Sequence, residues 1–261
     1  RRLAIDLCSG CGGLALGARL EGYEHVLLVD HNKTCTDTLK ANGFDKVITA
    51  RVQDVQWRDH VPKDMRIALL TAGPPCQPWS IGGVDEGAKD DRNLWYEMVR
   101  AVSELKPDHF LFEMVEGFLR PKFAVFVEEL IAQLTELGYE VTVSHVNASD
   151  VGLAQDRKRC LFMGHRATGT GEVTPPDRQE PGTLGDLLDD LGEPDGCNRH
   201  EVKGQAKEYP GHRPSETHRL AHTIRAGGRG PGGGNNTIRL DDGTLRYFTI
   251  REMARLQGFP D

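Results

Sequence analysis

The sequence has no apolar run near the roughly 18 residues that a helix needs to cross a bilayer, so no membrane-spanning segment is expected. It also lacks an initiator methionine, and its first residues, Arg1-Arg2, lead directly into an apolar stretch instead of a signal peptide. We therefore expect a cytoplasmic protein that makes no membrane contact and has further residues upstream.

The six cysteines lack the spacing of a disulfide framework. They stand at irregular intervals in a sizeable chain, which favours reduced thiols of the cytosol. Cys8 and Cys11 form a C-x-x-C pair, but no second pair follows at the spacing of zinc ligands. We therefore expect no metal site.

A net positive charge is also missing, since the chain carries a formal charge of -7 at pH 7. The charges are unevenly placed: residues 172–195 hold eight acids and one arginine, whereas residues 212–259 hold eight arginines and four acids. Phosphate binding depends on the local field, so the acidic total does not exclude a nucleic-acid partner. Composition alone does not indicate one either.

Apolar residues make up 38% of the chain, which is enough for a buried core. Short apolar runs alternate with amphipathic stretches as far as residue 165, a pattern typical of a doubly wound, mostly parallel α/β sheet. The expected strands are 3–7, 25–29, 66–72, 108–113, 139–146 and 159–164, and the expected helices are 13–21, 32–42, 92–105 and 121–137.

The amino-acid composition and the apolar periodicity change after residue 166. A linker is expected over 166–182, and a loop-rich region follows in which residues 227–234 include six glycines. Helical character returns at 249–257, where Thr249 and Glu252 have the spacing of a capping box.

Two segments suggest a cofactor that contains a nucleotide. The first strand leads into Asp6-Leu-Cys-Ser-Gly10-Cys-Gly12-Gly13, whose glycines let the backbone approach a ligand closely. The next strand ends at Asp30, which is well placed for ribose hydroxyls, and Gln53-Asp54-Val55 offers a further acid near an adenine. Dehydrogenases share this pattern, and a plain tight turn is the alternative.

The strand 66–72 leads into Gly73-Pro-Pro-Cys76-Gln-Pro-Trp-Ser80. The prolines restrict the backbone on both sides of the thiol. A cysteine held on a stiff loop at the carboxyl end of a strand is a candidate nucleophile, with a structural cysteine as the alternative.

The chain resembles the cytosine-5 DNA methyltransferases. Six segments occur in that family's order, over residues 3–165 and 236–261. They are Asp6 to Gly13, Pro74-Pro-Cys-Gln77, Asp91-Arg92-Asn93-Leu94, Glu113-Met-Val115, Gln155-Asp-Arg157-Lys-Arg159 and Glu252-Met-Ala-Arg-Leu-Gln-Gly-Phe-Pro260.

The resemblance implies the class I fold of enzymes that use S-adenosyl-L-methionine as cofactor. It implies a catalytic and cofactor-binding domain over 1–165, a variable target-recognition region over 166–247 and, over 248–261, a helix that returns to the catalytic domain. The implied cofactor residues are Asp6, Cys8, Ser9, Gly10, Cys11, Gly12, Gly13, Asp30, His31, Asp54, Val55, Pro75 and Leu94.

The resemblance also implies the chemistry. The Cys76 thiolate adds to C6 of cytosine, and Glu113 hydrogen-bonds N3 and the exocyclic amine, which makes C5 nucleophilic. Arg157 and Arg159, expected to alternate on one face of a strand, would point towards the base and the Cys76 loop. The base must leave the duplex stack to be reached.

The partner implied is double-stranded DNA, with Gln77, Ser80, Arg92, Arg225 and Arg229 as candidate contacts. Arg229, in the glycine-rich segment, could read a guanine in a groove or contact a phosphate. A flexible surface linker is the alternative for that segment.

Three departures from the family pattern stand out. Met114 replaces the usual Asn after the catalytic Glu, and Asp30 replaces the commoner Glu. The sequence also ends at Asp261, before the family's final Gly-Asn-Ala-Val-Pro motif. We expect that the native chain continues beyond Asp261 and contains this motif, and that the protein is a monomer. The alternatives are that a second chain supplies the motif or that it lies elsewhere in a permuted chain.

Other functions stay open at this point. An RNA (tRNA) cytosine-5 methyltransferase would share the thiol chemistry, but the Cys-Phe-Thr tripeptide that such tRNA enzymes carry is absent. A non-catalytic, methyltransferase-like DNA-binding partner is a second alternative, and a dinucleotide oxidoreductase is a third. If the source is bacterial, we expect the protein at the nucleoid, with or without a cognate restriction enzyme.

Overall fold

The structure is a computed structural model that describes residues 1–75, 93–166, 176–202, 204, 206–207, 213–225 and 236–261. The chain folds into two compact units. The first holds residues 1–145 and 159–175, and the second holds residues 146–158 and 176–261. Residues 248–261 therefore pack within the second unit. The assignment of functions to 1–165, 166–247 and 248–261 stays a prediction.

Seven strands form the main sheet, in the order β3-β2-β1-β4-β5-β8-β6. Their bounds are β1 Arg2–Leu7, β2 Tyr23–Asp30, β3 Val47–Thr49, β4 Leu69–Ala72, β5 His109–Val115, β6 Tyr139–Asn147 and β8 Lys158–Arg166.

Strands β1 to β5 pair in parallel, and β8 pairs with β5 antiparallel. The chain winds outward in opposite directions from β1 and β4, so a crevice is expected where their carboxyl ends meet. This confirms the α/β, doubly wound, mostly parallel sheet expected from the sequence.

The first unit has five described α-helices. They are α1 Gly13–Leu20, α2 Lys33–Ala41, α3 Trp57–His60, α4 Trp95–Leu105 and α5 Ala124–Glu136. All but α3 agree with the sequence expectation to within a few residues. The sequence analysis missed α3 and the three-residue strand β3, because elements this short show little periodicity.

An aromatic cluster anchors the start of α4 in the core. Trp95 is 1% exposed and stacks on Phe118, with ring centroids 4.8 Å apart, and it contacts Phe112 and Phe162 edge-on. Such aromatic pairs contribute roughly 0.5–1.5 kcal/mol each beyond their burial. The cluster therefore holds the first turn of α4 in place, and with it Leu94, the residue just before the helix.

The second unit has its own small core, of Leu184, Ala221, Ile238, Phe248 and Leu256. Its described elements are β7 Gln155–Asp156, α6 Leu184–Leu188, β9 Ser215–Glu216, β10 Ala221–His222, β11 Thr237–Arg239, β12 Leu245–Tyr247 and α7 Ile250–Leu256.

Helix α7 begins with the capping box expected from the sequence, because Thr249 Oγ1 accepts from the Glu252 N–H and the Glu252 carboxylate accepts from the Thr249 N–H. Glu252 is 2% exposed and also accepts two hydrogen bonds from Arg246, at 2.6 and 2.8 Å. Burying a charge without a partner is costly, so this glutamate needs both contacts.

Within the described residues, every helix is too short or too polar to cross a lipid bilayer.

Candidate active site

The segment after β1 forms a tight turn that only small residues allow. Cys8, Gly10 and Gly12 all have positive φ, at 53°, 52° and 92°. Helix α1 then begins at Gly13. A Cβ on Gly12 would lie 2.6 Å from Leu39 Cδ2, so the glycine is required both by its backbone conformation and by close packing on α2.

Gly12→Ala should destabilise the protein by about 2–4 kcal/mol, because it adds left-handed strain to a clash with the fully buried Leu39. Urea unfolding measures the loss. Gly17→Ala is the matched control: it lies inside α1, has nothing within 4 Å of its Cβ, and should be neutral or slightly stabilising. Equal effects of the two substitutions would show that the turn is not constrained as described.

Asp30 holds this turn through both carboxylate oxygens. Oδ2 accepts from the Gly10 N–H at 2.8 Å, and Oδ1 accepts from the Asn32 N–H at 2.8 Å. The residue is 7% exposed. Each carboxylate oxygen has a second lone pair, so Asp30 can still accept from a ligand hydroxyl.

A cavity of about 290 Å³ opens where the carboxyl ends of β1, β2, β3 and β4 meet. Its size is near the lower end of small-molecule pockets, about 300–1,000 Å³. The lining residues come from the segments that follow these strands and from the start of α4. They are Cys8, Asp30, His31, Ala50, Arg51, Val52, Gln53, Gly73, Pro75 and Leu94.

Five of the expected cofactor residues line this cavity: Cys8, Asp30, His31, Pro75 and Leu94. Asp54 is exposed and Val55 is buried in the core, while the preceding Val52 and Gln53 form part of the wall. Ala50, Arg51, Val52 and Gly73 also line the cavity and were not expected from the sequence. The β-branched run Val47-Ile-Thr49 could have revealed the strand that positions the first two.

Asp6, another expected cofactor residue, is fully buried and does not line the cavity. Its Oδ1 accepts from Thr71 Oγ1 at 2.5 Å, which ties β1 to β4. Burial raises the pKa of the Asp6 carboxyl from 3.8 to about 6. Between about pH 4 and 6 the unfolded chain ionises this carboxyl while the folded protein keeps it protonated, so the free energy of unfolding falls as the pH rises through that range.

Four of the five described thiols have an environment that raises the thiol pKa, which is the opposite of what activates a nucleophile. Burial raises the pKa of Cys8 and of Cys160 to about 12. The pKa of Cys35 is raised by burial, and that of Cys197 by its hydrogen bond to Asp195. A catalytic thiol needs a lowered pKa. Cys76, the expected nucleophile, lies outside the described residues; in the sequence it directly follows Pro75.

Glu113 lies near the carboxyl end of β5, beside the β4 strand that leads to the cavity. Its Oε1 lies 2.5 Å from Arg159 Nε on the antiparallel strand β8. The two side chains are 29% and 16% exposed, so the pair is half-buried but open to a ligand. The structure thus brings together two of the four expected catalytic residues.

Met114, which replaces the family's usual Asn, points away from this pair. Residues alternate along β5, so Met114 is 1% exposed in the hydrophobic core while Glu113 faces the opposite side. The Cys160 thiol contacts the carbonyl oxygens of Met114 and Val115 at 3.5 Å. The backbone that follows Glu113 is therefore contacted by the Cys160 thiol, and this contact does not depend on the side chain at position 114.

Comparison with known proteins gives the family. Residues 3–261 match the model of the C-5 cytosine-specific DNA methylases. The chain belongs to this family. The type II methyltransferase M.NgoPII of Neisseria gonorrhoeae is 32% identical over 98% of this chain and 85% of its own length. M.FnuDI of Fusobacterium nucleatum is 30% identical over 98% and 84%.

Solved structures share the fold of this methylase. A putative DNA modification methyltransferase from an Escherichia coli prophage has a TM-score of 0.72 at 23% identity, over all of this chain and 89% of its own. DNMT2 of Spodoptera frugiperda has a TM-score of 0.74 at 18% identity, with the same coverages.

The methylase is thus a DNA (cytosine-5-)-methyltransferase that uses S-adenosyl-L-methionine. The family match is consistent with the order of motifs noted in the sequence.

Arg157 is placed differently from expectation. It lies between β7 and β8, in the second unit, whereas Arg159 lies on β8 in the first. The expectation that the two alternate along one strand face is wrong. The reason is local: Asn147 Oδ1 accepts from the Arg157 N–H and the Ala148 N–H donates to the Arg157 carbonyl, which interrupts the strand.

Of the expected DNA contacts, Arg225 is described and exposed. Its N–H and carbonyl both pair with the side-chain amide of Asn236, at 3.1 and 2.9 Å. These two hydrogen bonds join Arg225 to Asn236, the described residues that precede and follow the glycine-rich part of the sequence. Gln77, Ser80, Arg92 and Arg229 lie outside the described residues.

Proposed function

We propose that this methylase acts on a cytosine turned out of the DNA duplex, with Cys76 as the covalent nucleophile and Glu113 and Arg159 as its catalytic partners. The observation that carries the proposal is the Glu113–Arg159 pair at the end of β5, next to the strand whose loop contains Cys76. A carboxyl group that is both held in place and accessible is what recognition of the base's N3 edge requires.

The cavity fits the cofactor. Asp30 offers carboxylate oxygens to ribose hydroxyls, and Val52, Pro75 and Leu94 offer apolar surface to an adenine ring. The positive-φ turn lets backbone N–H groups approach the ligand closely. When bound, S-adenosyl-L-methionine supplies an electrophilic methyl group on its sulfonium sulfur.

The protein's own steps act on the base. Addition of the Cys76 sulfur to C6 moves electron density to C5, which makes that carbon nucleophilic. Glu113 supports this by sharing a proton with N3, and Arg159 orients the Glu113 carboxyl group. Once C5 carries the methyl group, removal of the C5 proton lets the C6–sulfur bond break, which restores the C5–C6 double bond and frees Cys76 as its thiolate.

Asp30→Asn should weaken S-adenosyl-L-methionine binding roughly 10- to 100-fold, because hydrogen bonds to a charged acceptor contribute about 1.5–3 kcal/mol each. The substitution removes the charge and leaves one oxygen for two backbone donors. Isothermal titration calorimetry with the cofactor and no DNA measures the change directly.

Asp59→Asn is the matched control for this prediction, since Asp59 is an exposed acid of α3 that lies outside the cavity wall and has no assigned role. It should bind the cofactor like the wild type. If Asp30→Asn also binds normally, Asp30 has only a structural role in the turn.

Bisulfite sequencing of DNA incubated with the protein and cofactor tests the activity, the base and its sequence context together. Protected cytosines in a fixed context are expected. Methyl transfer to RNA and not to DNA would instead favour the RNA methyltransferase alternative.

We further propose that the protein works as a monomer in the cytoplasm, at the nucleoid if the source is bacterial. The relatives are type II methyltransferases, which supports a place in a restriction-modification system. Size-exclusion chromatography with light scattering tests the oligomeric state.

A further inference from the structure

A second cavity, of about 250 Å³, lies within the second unit. Its wall carries three arginines, one histidine and one carboxylate: Arg213, Arg219, Arg239, His222 and Glu216. We call it the arginine pocket. The sequence motifs singled out none of these residues.

The backbone brings these side chains together over a short distance. Glu216 on β9 and Arg239 on β11 are direct partners in the parallel pairing of the two strands. The Arg219 N–H donates to the Glu216 carbonyl at 3.1 Å, which closes a turn between β9 and β10. The His222 N–H donates to Ser215 Oγ at 3.1 Å and holds the other end of the turn.

The pocket has an excess of positive charge. Three arginines against one glutamate give a formal charge of +2 with the histidine neutral. Glu216 Oε2 lies 3.5 Å from Arg219 Nε, so the carboxylate orients this arginine. The Arg219 side chain remains 72% exposed and can reach a ligand as well.

We propose that the arginine pocket binds a backbone phosphate of the DNA duplex. Guanidinium groups match the geometry of phosphate oxygens with two parallel hydrogen bonds, and several arginines at one concavity concentrate that field. The pocket lies in the part of the chain where arginines outnumber acids, within the region predicted to recognise the target. The inference rests on the proposed action on duplex DNA.

The test is the double variant Arg213→Gln/Arg219→Gln, with binding to a short mixed-sequence duplex measured by fluorescence anisotropy over a series of KCl concentrations. Loss of one phosphate contact should reduce the slope of log K against log [salt] by about 1. Affinity should fall roughly tenfold or more at low salt.

The matched control is Arg178→Gln/Arg199→Gln, which removes the same charge from exposed positions of the same unit. Its salt slope should stay close to that of the wild type. Equal slopes and affinities for the two double variants would overturn the proposal. Binding of inorganic phosphate by the wild type and not by the pocket variant, measured by calorimetry while both proteins bind the duplex alike, would indicate a free-phosphate site and would overturn it as well.

Bisulfite sequencing on the same duplex separates this proposal from the proposed function. Methylation by the wild type together with equal salt slopes for the double variants rejects the arginine pocket alone. Failure of the wild type to bind or methylate any duplex rejects the action on DNA itself.

Discussion

Cys76→Ala should lower the rate of methyl transfer to DNA at least on the order of 10⁴-fold, since removal of a covalent nucleophile eliminates the step that activates the substrate. Without addition to C6, C5 of cytosine is too weak a nucleophile to take the methyl group. Binding of S-adenosyl-L-methionine should stay within a few-fold of wild type, because the described wall of the cavity is unchanged. A radiolabelled methyl-transfer assay and calorimetry measure the two quantities.

Cys197→Ser is the control, because this exposed thiol lies in the second unit and has no assigned role. It should retain full turnover. Substantial turnover by Cys76→Ala would contradict the covalent mechanism, and loss of turnover in both variants would indicate a general sensitivity to cysteine replacement.

Glu113→Gln should reduce turnover by about 10²–10⁴-fold, the range that a positioned acid–base group contributes. The amide cannot share a proton with N3 as a carboxyl group can, and it also loses the ion pair with Arg159. The cofactor's affinity should change little, since Glu113 is not part of the cavity wall.

Glu116→Gln is matched to this change: Glu116 lies three residues further along, is 53% exposed, and faces His145 at 3.9 Å. Its turnover should equal that of the wild type. A collapse of cofactor affinity in Glu113→Gln, seen by calorimetry, would show that Glu113 serves the cofactor and not the base.

The position of the cavity could be predicted from the sequence because the candidate residues stand at the ends of the expected strands. Cys8, Asp30 and Pro75 each follow or end an apolar run, and parallel strands bring their carboxyl ends to one edge. The Glu113–Arg159 pair was also predicted as a group, but only through the family resemblance. Nothing in the local sequence shows that β8 runs antiparallel beside β5 and brings Arg159 within 2.5 Å.

The remaining features depend on contacts distant in sequence. The family resemblance places Asp6 near the cofactor, but the sequence does not show that its side chain is buried and hydrogen-bonded to Thr71, 65 positions away. Arg157 lies outside the expected strand because its backbone N–H donates a hydrogen bond to the side chain of Asn147, ten positions earlier. The arginine pocket arises from pairing between β9 and β11, which are two and three residues long and leave no periodic signal.

The most direct test of the account is covalent trapping on DNA that carries 5-fluorocytosine at the target position, in the presence of S-adenosyl-L-methionine. Fluorine at C5 cannot leave as a proton does, so the sulfur–C6 bond should persist. We predict a protein–DNA adduct that survives denaturing electrophoresis, maps by peptide mass spectrometry to Cys76, and is absent from Cys76→Ala. Methylation of ordinary DNA without any such adduct, or an adduct on another cysteine, would contradict the account.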